Sequence, residues 1–337
     1  MKVNKNELQE ALEKVKPGLA SKELIEQSTS FALMGHRVVT YNDEISISHP
    51  VEGLNIEGAV KAQALYEFLN KIKKDEIDIE WEDKQIVIES GRTKAGLVFE
   101  QEVRLPVEQV GEISDWHKLP EDTIEALKFC YPCASPDMSR PILTCVNVSG
   151  STVEVSDSYQ IVRYQLREGV LVGKFLIPAN SVKELVRYDV KEIAEGQGWI
   201  HFKTDDGTVF SSRILTDEFP DTSQHLEFDG VEFDFPKKTA QILERAQVFS
   251  RSDFSTGDIS VTTVEMKENQ VRITAKNEHG WFEETARTKY DGKPIKFTMG
   301  VQFLINLFSR LQTCIIGEDR VKFTGDNWTH VIAMVEK

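Results

Sequence analysis

Four cysteines in 337 residues are too few for a disulfide framework. Cys130 and Cys133 form a lone CxxC, "CYPC". A metal site would need a second pair, or histidines at ligand spacing, and neither is near. A thioredoxin-like redox pair belongs just before a helix, whereas this one stands at a helix's end, so two small packed thiols are the plain alternative. No run is long and apolar enough to span a membrane. The start, "MKVNKNELQE", has no apolar signal core, and the expected location is cytoplasmic. Gly-rich phosphate loops of the P-loop or dinucleotide type are missing, and no nucleophile motif stands beside any of the seven histidines. The acidic pairs Asp205-Asp206 and Glu318-Asp319 fall at hairpin tips, where carboxylates serve turn geometry and solvation. No catalytic residue, cofactor or metal is therefore expected, and an enzyme acting on a soluble substrate is disfavoured. An excess of base is also missing: 55 acids against 40 bases give a formal charge of −15. That argues against a protein that coats nucleic acid by net charge, but leaves a local basic surface open. Low-complexity segments and long linkers are absent as well.

What the chain does have is a repeat. "HKLPEDTIEALKFC", "FLIPANSVKELVRY" and "FDFPKKTAQILERA" each read as a short strand, a proline and an amphipathic helix. Pro120, Pro178 and Pro236 suit a first helical turn, where the missing N–H would have had no partner. "NELQEALEKV", "AQALYEFLNKIK" and "GVQFLINLFSRLQ" complete the series. The six predicted helices start near residues 6, 62, 121, 180, 237 and 300. Between them the pattern switches to period two, the mark of half-buried strands. Hairpins are expected about Tyr41-Asn42-Asp43, Ser149-Gly150-Ser151 and Lys267-Glu268-Asn269. Two helix-plus-strand units make a domain of about 110 residues. The expected class is α+β, with three repeated domains at 1–116, 117–229 and 230–337, each with two helices backed by antiparallel sheet. In the second helix Leu65, Phe68, Leu69 and Ile72 are spaced to lie on one side, toward the sheet.

The bases are unevenly placed. Lys71, Lys73 and Lys74 close the second predicted helix, just before an acidic stretch. They fit a cap on the negative end of the helix dipole, and they equally fit a helix that faces a polyanion.

With this plan in view, the sequence resembles the beta subunit of bacterial replicative DNA polymerase, the sliding clamp, in a short and divergent form compatible with a viral or plasmid-encoded member. The resemblance runs end to end. It rests on "ESGRTKAGLVF", "RPILTCVNV", "VSDSYQIVRYQL", "SSRILTDEFPDT" and "LERAQVFSRSDF", in that order and spacing. "FSSRILTDEFPD" is the most specific of them. The resemblance implies three DNA-clamp domains per protomer and two protomers closed head to tail into a ring. Helices would line the hole, and a continuous sheet would form the outer wall. Such a ring holds duplex DNA without reading its sequence, tethers the DNA polymerase, is opened by a separate clamp loader, and is not an enzyme. A ring that slides has no use for base contacts, which would fix its register. Weak phosphate attraction suffices, because topology retains the DNA.

On that resemblance the channel-facing bases would be Lys14, Lys16, Lys71, Lys73, Lys74, Lys128, Lys183, Arg187, Lys237, Lys238, Arg245 and Arg310, with the loop bases Lys22 and Arg140 near DNA. Glu10, Glu13, Glu125, Glu184 and Glu244 share those helices, so the face is mixed. A partner-peptide pocket would use Leu143, Ser156, Tyr159, Ile161, Pro220, His225, Val331 and Met334. There the family's Thr-Asp-Gly-His-Arg-Leu becomes Ser156-Asp157-Ser158-Tyr159-Gln160-Ile161, and the tail "VIAMVEK" lacks the family's Met-Pro. The homodimer interface would join edge strands of the first and third domains, with Ile72 and Leu97 on one side and Val248 and Phe249 on the other. Plain packing and solvated charge explain many of these residues equally well. A monomeric clamp-like scaffold for protein partners is the second reading.

Overall fold

Local sequence sets each helix before any packing does. In α1 (Lys5–Val15), Asn4 caps the first turn: its side-chain oxygen accepts from the backbone N–H of Asn6 at 2.9 Å and of Glu7 at 3.3 Å. Leu8, Ala11, Leu12 and Val15 recur at helical spacing and are all buried. Pro17 and Gly18 then turn the chain out of the helix. Gly18 is required there, since a Cβ would come within 2.3 Å of Thr40 Oγ1. The other helices are α2 (Ala62–Leu69), α3 (Thr123–Cys130), α4 (Ala179–Leu185), α5 (Ser223–Leu226), α6 (Thr239–Gln247) and α7 (Val301–Phe308). All six predicted helices are present within a few residues of their expected starts, and the one-turn α5 is additional. Two details differ from expectation. Pro120 and Pro236 lie a turn ahead of α3 and α6, where their carbonyls accept from the N–H groups of Thr123 and Thr239. And α2 stops at Leu69 with Asn70 as its C-cap, so Lys71, Lys73 and Lys74 lie beyond the helix and do not cap it.

The computed structural model describes residues 1–82, 84–110, 113, 115–253, 259–308, 311 and 313–334. They form two compact units. The first comprises Met1–Pro132, Ser139–Val153 and Leu166–Phe219. Its main sheet has twelve antiparallel strands. In order, the first eight are Lys2–Asn4, Glu76–Glu82, Gln85–Ser90, Thr93–Glu100, Ile56–Lys61, Ser30–Gly35, Arg37–Tyr41 and Ile45–Pro50. Val209–Arg213, Trp199–Thr204, Val190–Gly196 and His117–Lys118 continue it. The join between the predicted first and second domains is therefore an ordinary ladder, with Ile47 opposite Phe210 and Ser46 opposite Ser211. Ile47, Phe210 and Phe202 are fully buried on one face of that ladder, and Tyr188 packs on Phe210 at a ring distance of 5.5 Å. Each such side chain contributes about 1.5–3 kcal/mol by burial.

The second unit comprises Cys133–Met138, Glu154–Gln165 and Pro220–Lys337. One of its sheets runs Gln160–Gln165, Trp328–Ala333, Arg320–Thr324, Thr313–Ile316 and Val231–Asp234. The other runs Arg251–Asp253, Ile259–Lys267, Gln270–Asn277 and Gly280–Arg287, with Ile295–Gly300 also paired to Ile259–Lys267. Its core centres on Phe233, Phe235, Leu243, Leu304, Phe308 and Phe323. The predicted tight turn at Glu268-Asn269 is there, with φ of 52° and 61°, the primed-turn geometry that suits a hairpin's twist.

Candidate nucleic-acid and partner surfaces

The exposed stripe of α1 carries Asn6, Glu7, Glu10 and Glu13 and no base. The bases gather instead at helix ends and in the adjoining loops. Lys71, Lys73 and Lys74 are exposed between α2 and the next strand, and Lys22, Lys128, Lys183, Lys237 and Lys238 are exposed as well. Among the described residues these eight make no ion pair. Lys16 sits over the Tyr66 ring at 4.5 Å. Three assigned bases are neutralised within the chain: Lys14 by Glu10 and Asp206, Arg187 by Glu184, and Arg245 by a two-point pair with Glu284 at 2.8 and 2.9 Å. Arg140 is exposed and engaged in local contacts. Arg310 lies outside the described residues. Periodicity could find bases near helices; it could not show that acids elsewhere in the chain neutralise some of them.

The Lys14 pair is part of a lock across the ladder join of the first unit. Lys14 Nζ lies 2.9 Å from Asp206 Oδ2, at the turn before Val209–Arg213. Asp206 also accepts from Thr208 N at 3.1 Å and Thr208 Oγ1 at 2.8 Å, and from Thr204. His49 Nδ1 is 2.7 Å from the same Thr208 hydroxyl. Arg37 Nη2 donates to the Gly207 carbonyl at 2.9 Å, and Tyr188 donates its hydroxyl proton to the Lys14 carbonyl. Burial alone would raise the Asp206 pKa, but the hydrogen bonds from Thr204, Lys14 and Thr208 outweigh it and hold the carboxyl well below the usual range. An unfolded aspartate titrates near about 3.9. The stability that Asp206 supplies is therefore complete above that pH, and is lost as pH falls through its lower folded value. Asp206→Asn should lower the unfolding midpoint at pH 7, followed by Trp199 fluorescence, and the deficit should shrink below about pH 4. An unchanged deficit down to the lowest pH would assign the loss to side-chain shape rather than charge.

In the second unit, seven of the eight pocket residues are present; Leu143 is half-buried in the first unit. Ile161 pairs with Val331, which pairs with Lys322. The N–H of Ala333, opposite Arg320, bonds to the Tyr159 carbonyl. Strand alternation therefore puts Tyr159, Ile161, Arg163, Val331, Ala333, Arg320 and Lys322 on one face. Pro220–Phe228, including α5, covers part of it. Thr222 bonds to Glu154, Arg163 reaches Thr222 and Ser223, His225 meets Arg320, and Glu227 pairs with Lys322. Tyr159, Ile161 and Ala333 stay half-exposed at the margin, while Pro220 and His225 are exposed. Three assignments change. Val331 is buried beneath the covering segment, and Ser156 is buried with its hydroxyl donated to the Gln160 carbonyl. Met334 follows Ile332 to the opposite face and packs on the core. Ala333 takes the place that the sequence reading gave to Met334, a one-residue slip, and one residue is enough to exchange faces.

Two strand edges are open among the described residues. Thr93–Glu100 pairs along one side with Gln85–Ser90, but Ile56–Lys61 reaches only its Phe99 and Glu100. Val98 on that edge is 71% exposed, and Leu97 beside it is half-buried. Gly280–Arg287 pairs only with Gln270–Asn277 and carries Trp281, 70% exposed, near Val248, 71% exposed. Phe249 is half-buried and stacks on Phe282, with ring centroids 6.5 Å apart. Ile72 is buried in its own unit and offers a partner little surface. Val98 and Trp281 were missed in the sequence. The signal for Trp281 was in "GWFEETAR", where alternation puts it with Glu283, Thr285 and Arg287 on the polar side. The cysteines carry no site: no disulfide joins Cys130 and Cys133, and no cluster of potential metal ligands occurs among the described residues. No described helix is long and apolar enough to cross a membrane.

Repeated helix pairs backed by antiparallel sheet, along the whole chain, define the sliding-clamp fold. The DNA polymerase III beta subunit of Pseudomonas aeruginosa matches with a TM-score of 0.86 at 16% identity, over 100% of both chains. The beta chain from Streptococcus pneumoniae matches with 0.86 at 20% identity, over 100% of this chain and 99% of that one. The Bartonella birtlesii clamp, solved bound to griselimycin, matches with 0.88 at 14% identity over the same shares. No protein-family profile and no curated protein sequence matches the chain.

Proposed function

We propose that this chain is a DNA sliding clamp, a processivity factor that encircles duplex DNA and tethers a DNA polymerase, and that it is not an enzyme. The observation that carries the reading is the whole-chain fold likeness to DNA polymerase III beta subunits, which extends to nearly the full length of each partner. Three clamp domains, at 1–116, 117–229 and 230–337, would pair with three more in a second copy. The open edges support a head-to-tail homodimer, with Leu97 and Val98 of one protomer against Val248, Phe249 and Trp281 of the other. A clamp loader would open that ring. Weak phosphate attraction would come from Lys71, Lys73, Lys74, Lys22, Lys128, Lys183, Lys237 and Lys238, with Lys14, Arg187 and Arg245 contributing little because acids of the same chain neutralise them. The acidic stripe of α1 and those internal pairs favour the second reading, a monomeric clamp-like scaffold, over any tight DNA binder.

The Lys71→Ala/Lys73→Ala/Lys74→Ala variant tests the DNA surface. Duplex binding, measured by anisotropy across salt concentrations, should weaken equally for unrelated sequences. The log–log salt slope should flatten by up to about 2.7 if all three lysines meet phosphates. An unchanged slope would move the phosphate contacts elsewhere.

A further inference from the structure

The sheet face that carries Tyr159, Ile161 and Ala333 is not purely apolar. Arg320 and Lys322 stand on the same face, on the strand beside Trp328–Ala333. Lys322 is sunk beneath the covering segment, with Nζ 3.0 Å from Glu227 and 5.3 Å from the Phe228 ring centroid. Arg320 is at the margin. Its Nε and Nη2 bond to Asp319 at 2.7 and 2.8 Å, and its Nη1 is 3.3 Å from His225 Nδ1. The guanidinium also lies over the Phe228 ring at 5.7 Å. These contacts fix its plane and use three of the five N–H donors that a guanidinium has. Two remain, beside Tyr159 and Ala333. A held arginine with spare donors next to half-exposed apolar side chains suits one ligand chemistry: a carboxylate adjoining an apolar residue.

We propose that the partner segment seated on this face is acidic, with a carboxylate bound to Arg320 and a neighbouring apolar side chain on Ile161 and Ala333. The inference rests on the reading of this face as the partner-binding surface, and it names that partner's chemistry. Nucleic acid is the poorer occupant. Asp319, Asp221 and the exposed Glu227 surround the single available cation, and a run of phosphates needs several bases in line.

The test uses the full-length protein and two fluorescein-labelled hexapeptides, each with two central leucines, one flanked by aspartates and the other by asparagines. Anisotropy should show the aspartate peptide binding about tenfold more tightly, the size of a charge-assisted hydrogen bond. Arg320→Ala should bring the two peptides within about twofold of each other, and Arg320→Lys should be intermediate, because lysine keeps the charge but not the fork. Ile161→Asp should weaken both. Equal affinity of the two peptides for the wild type would overturn the acidic preference, as would a preference that survives Arg320→Ala. If Ile161→Asp then still abolished binding, the partner surface itself would stand. Binding that ignored Ile161→Asp, or no binding of either peptide, would remove the surface and the inference together. Displacement of the peptide by duplex DNA, with the same Arg320 dependence, would assign the face to nucleic acid and overturn the proposal.

Discussion

Trp281→Asp is expected to turn a dimer into a monomer in sedimentation at micromolar concentration. Trp281 is a large, 70% exposed aromatic on a strand with an open edge, and Val248 is exposed nearby. In a head-to-tail dimer each substitution acts twice, once per interface. A carboxylate there loses the aromatic's buried area and adds an unpaired buried charge, a cost of several kcal/mol per interface. The substitution should leave the unit folded, since the Trp281 side chain lies mostly in solvent. Phe249→Asp is the less clean experiment: the Phe249 ring stacks on Phe282 and packs against the core, so its loss would loosen the base of the hairpin as well as the interface. A Trp281→Asp protein that still sediments as a dimer would place the protomer contact elsewhere.

Phe210→Ala is expected to destabilise the first unit by about 3–5 kcal/mol. Phe210 is fully buried at the strand that joins the predicted first and second domains, opposite Ile47 on one side and Phe202 on the other. Tyr188, on the segment after α4, fills the space above it. The cavity cannot close readily, because the ladder holds both neighbours in register. Denaturant unfolding followed by Trp199 fluorescence should show the loss in this unit's transition. A change under about 1 kcal/mol would mean that the join repacks, and that its stability resides in the polar lock about Asp206 rather than in the apolar ladder.

Helices and hairpins were legible from sequence because their signals are local. Asn4 before an apolar period of 3.6 marks α1, and Glu268-Asn269 between alternating runs marks a hairpin. The ends of elements were less legible. Lys71, Lys73 and Lys74 read as the last turn of a helix that stops at Asn70, because cations are acceptable in either place. The candidate sites were the least legible. Which bases are free depends on partners such as Asp206 for Lys14 and Glu284 for Arg245, and those pairs span many residues of chain. The face of Met334 turned on a register that no local pattern specifies near a chain end. Arg320 went unnoticed because its importance comes from Tyr159, His225 and Ala333, which only the fold brings together.

The central claim is a closed ring, and imaging tests it most directly. Negative-stain electron microscopy of the purified protein near micromolar concentration, with sedimentation of the same sample, should show closed six-lobed rings with the mass of two chains. Compact monomers at every concentration would contradict it: the clamp fold would stand without encirclement of DNA, and the scaffold reading would replace it.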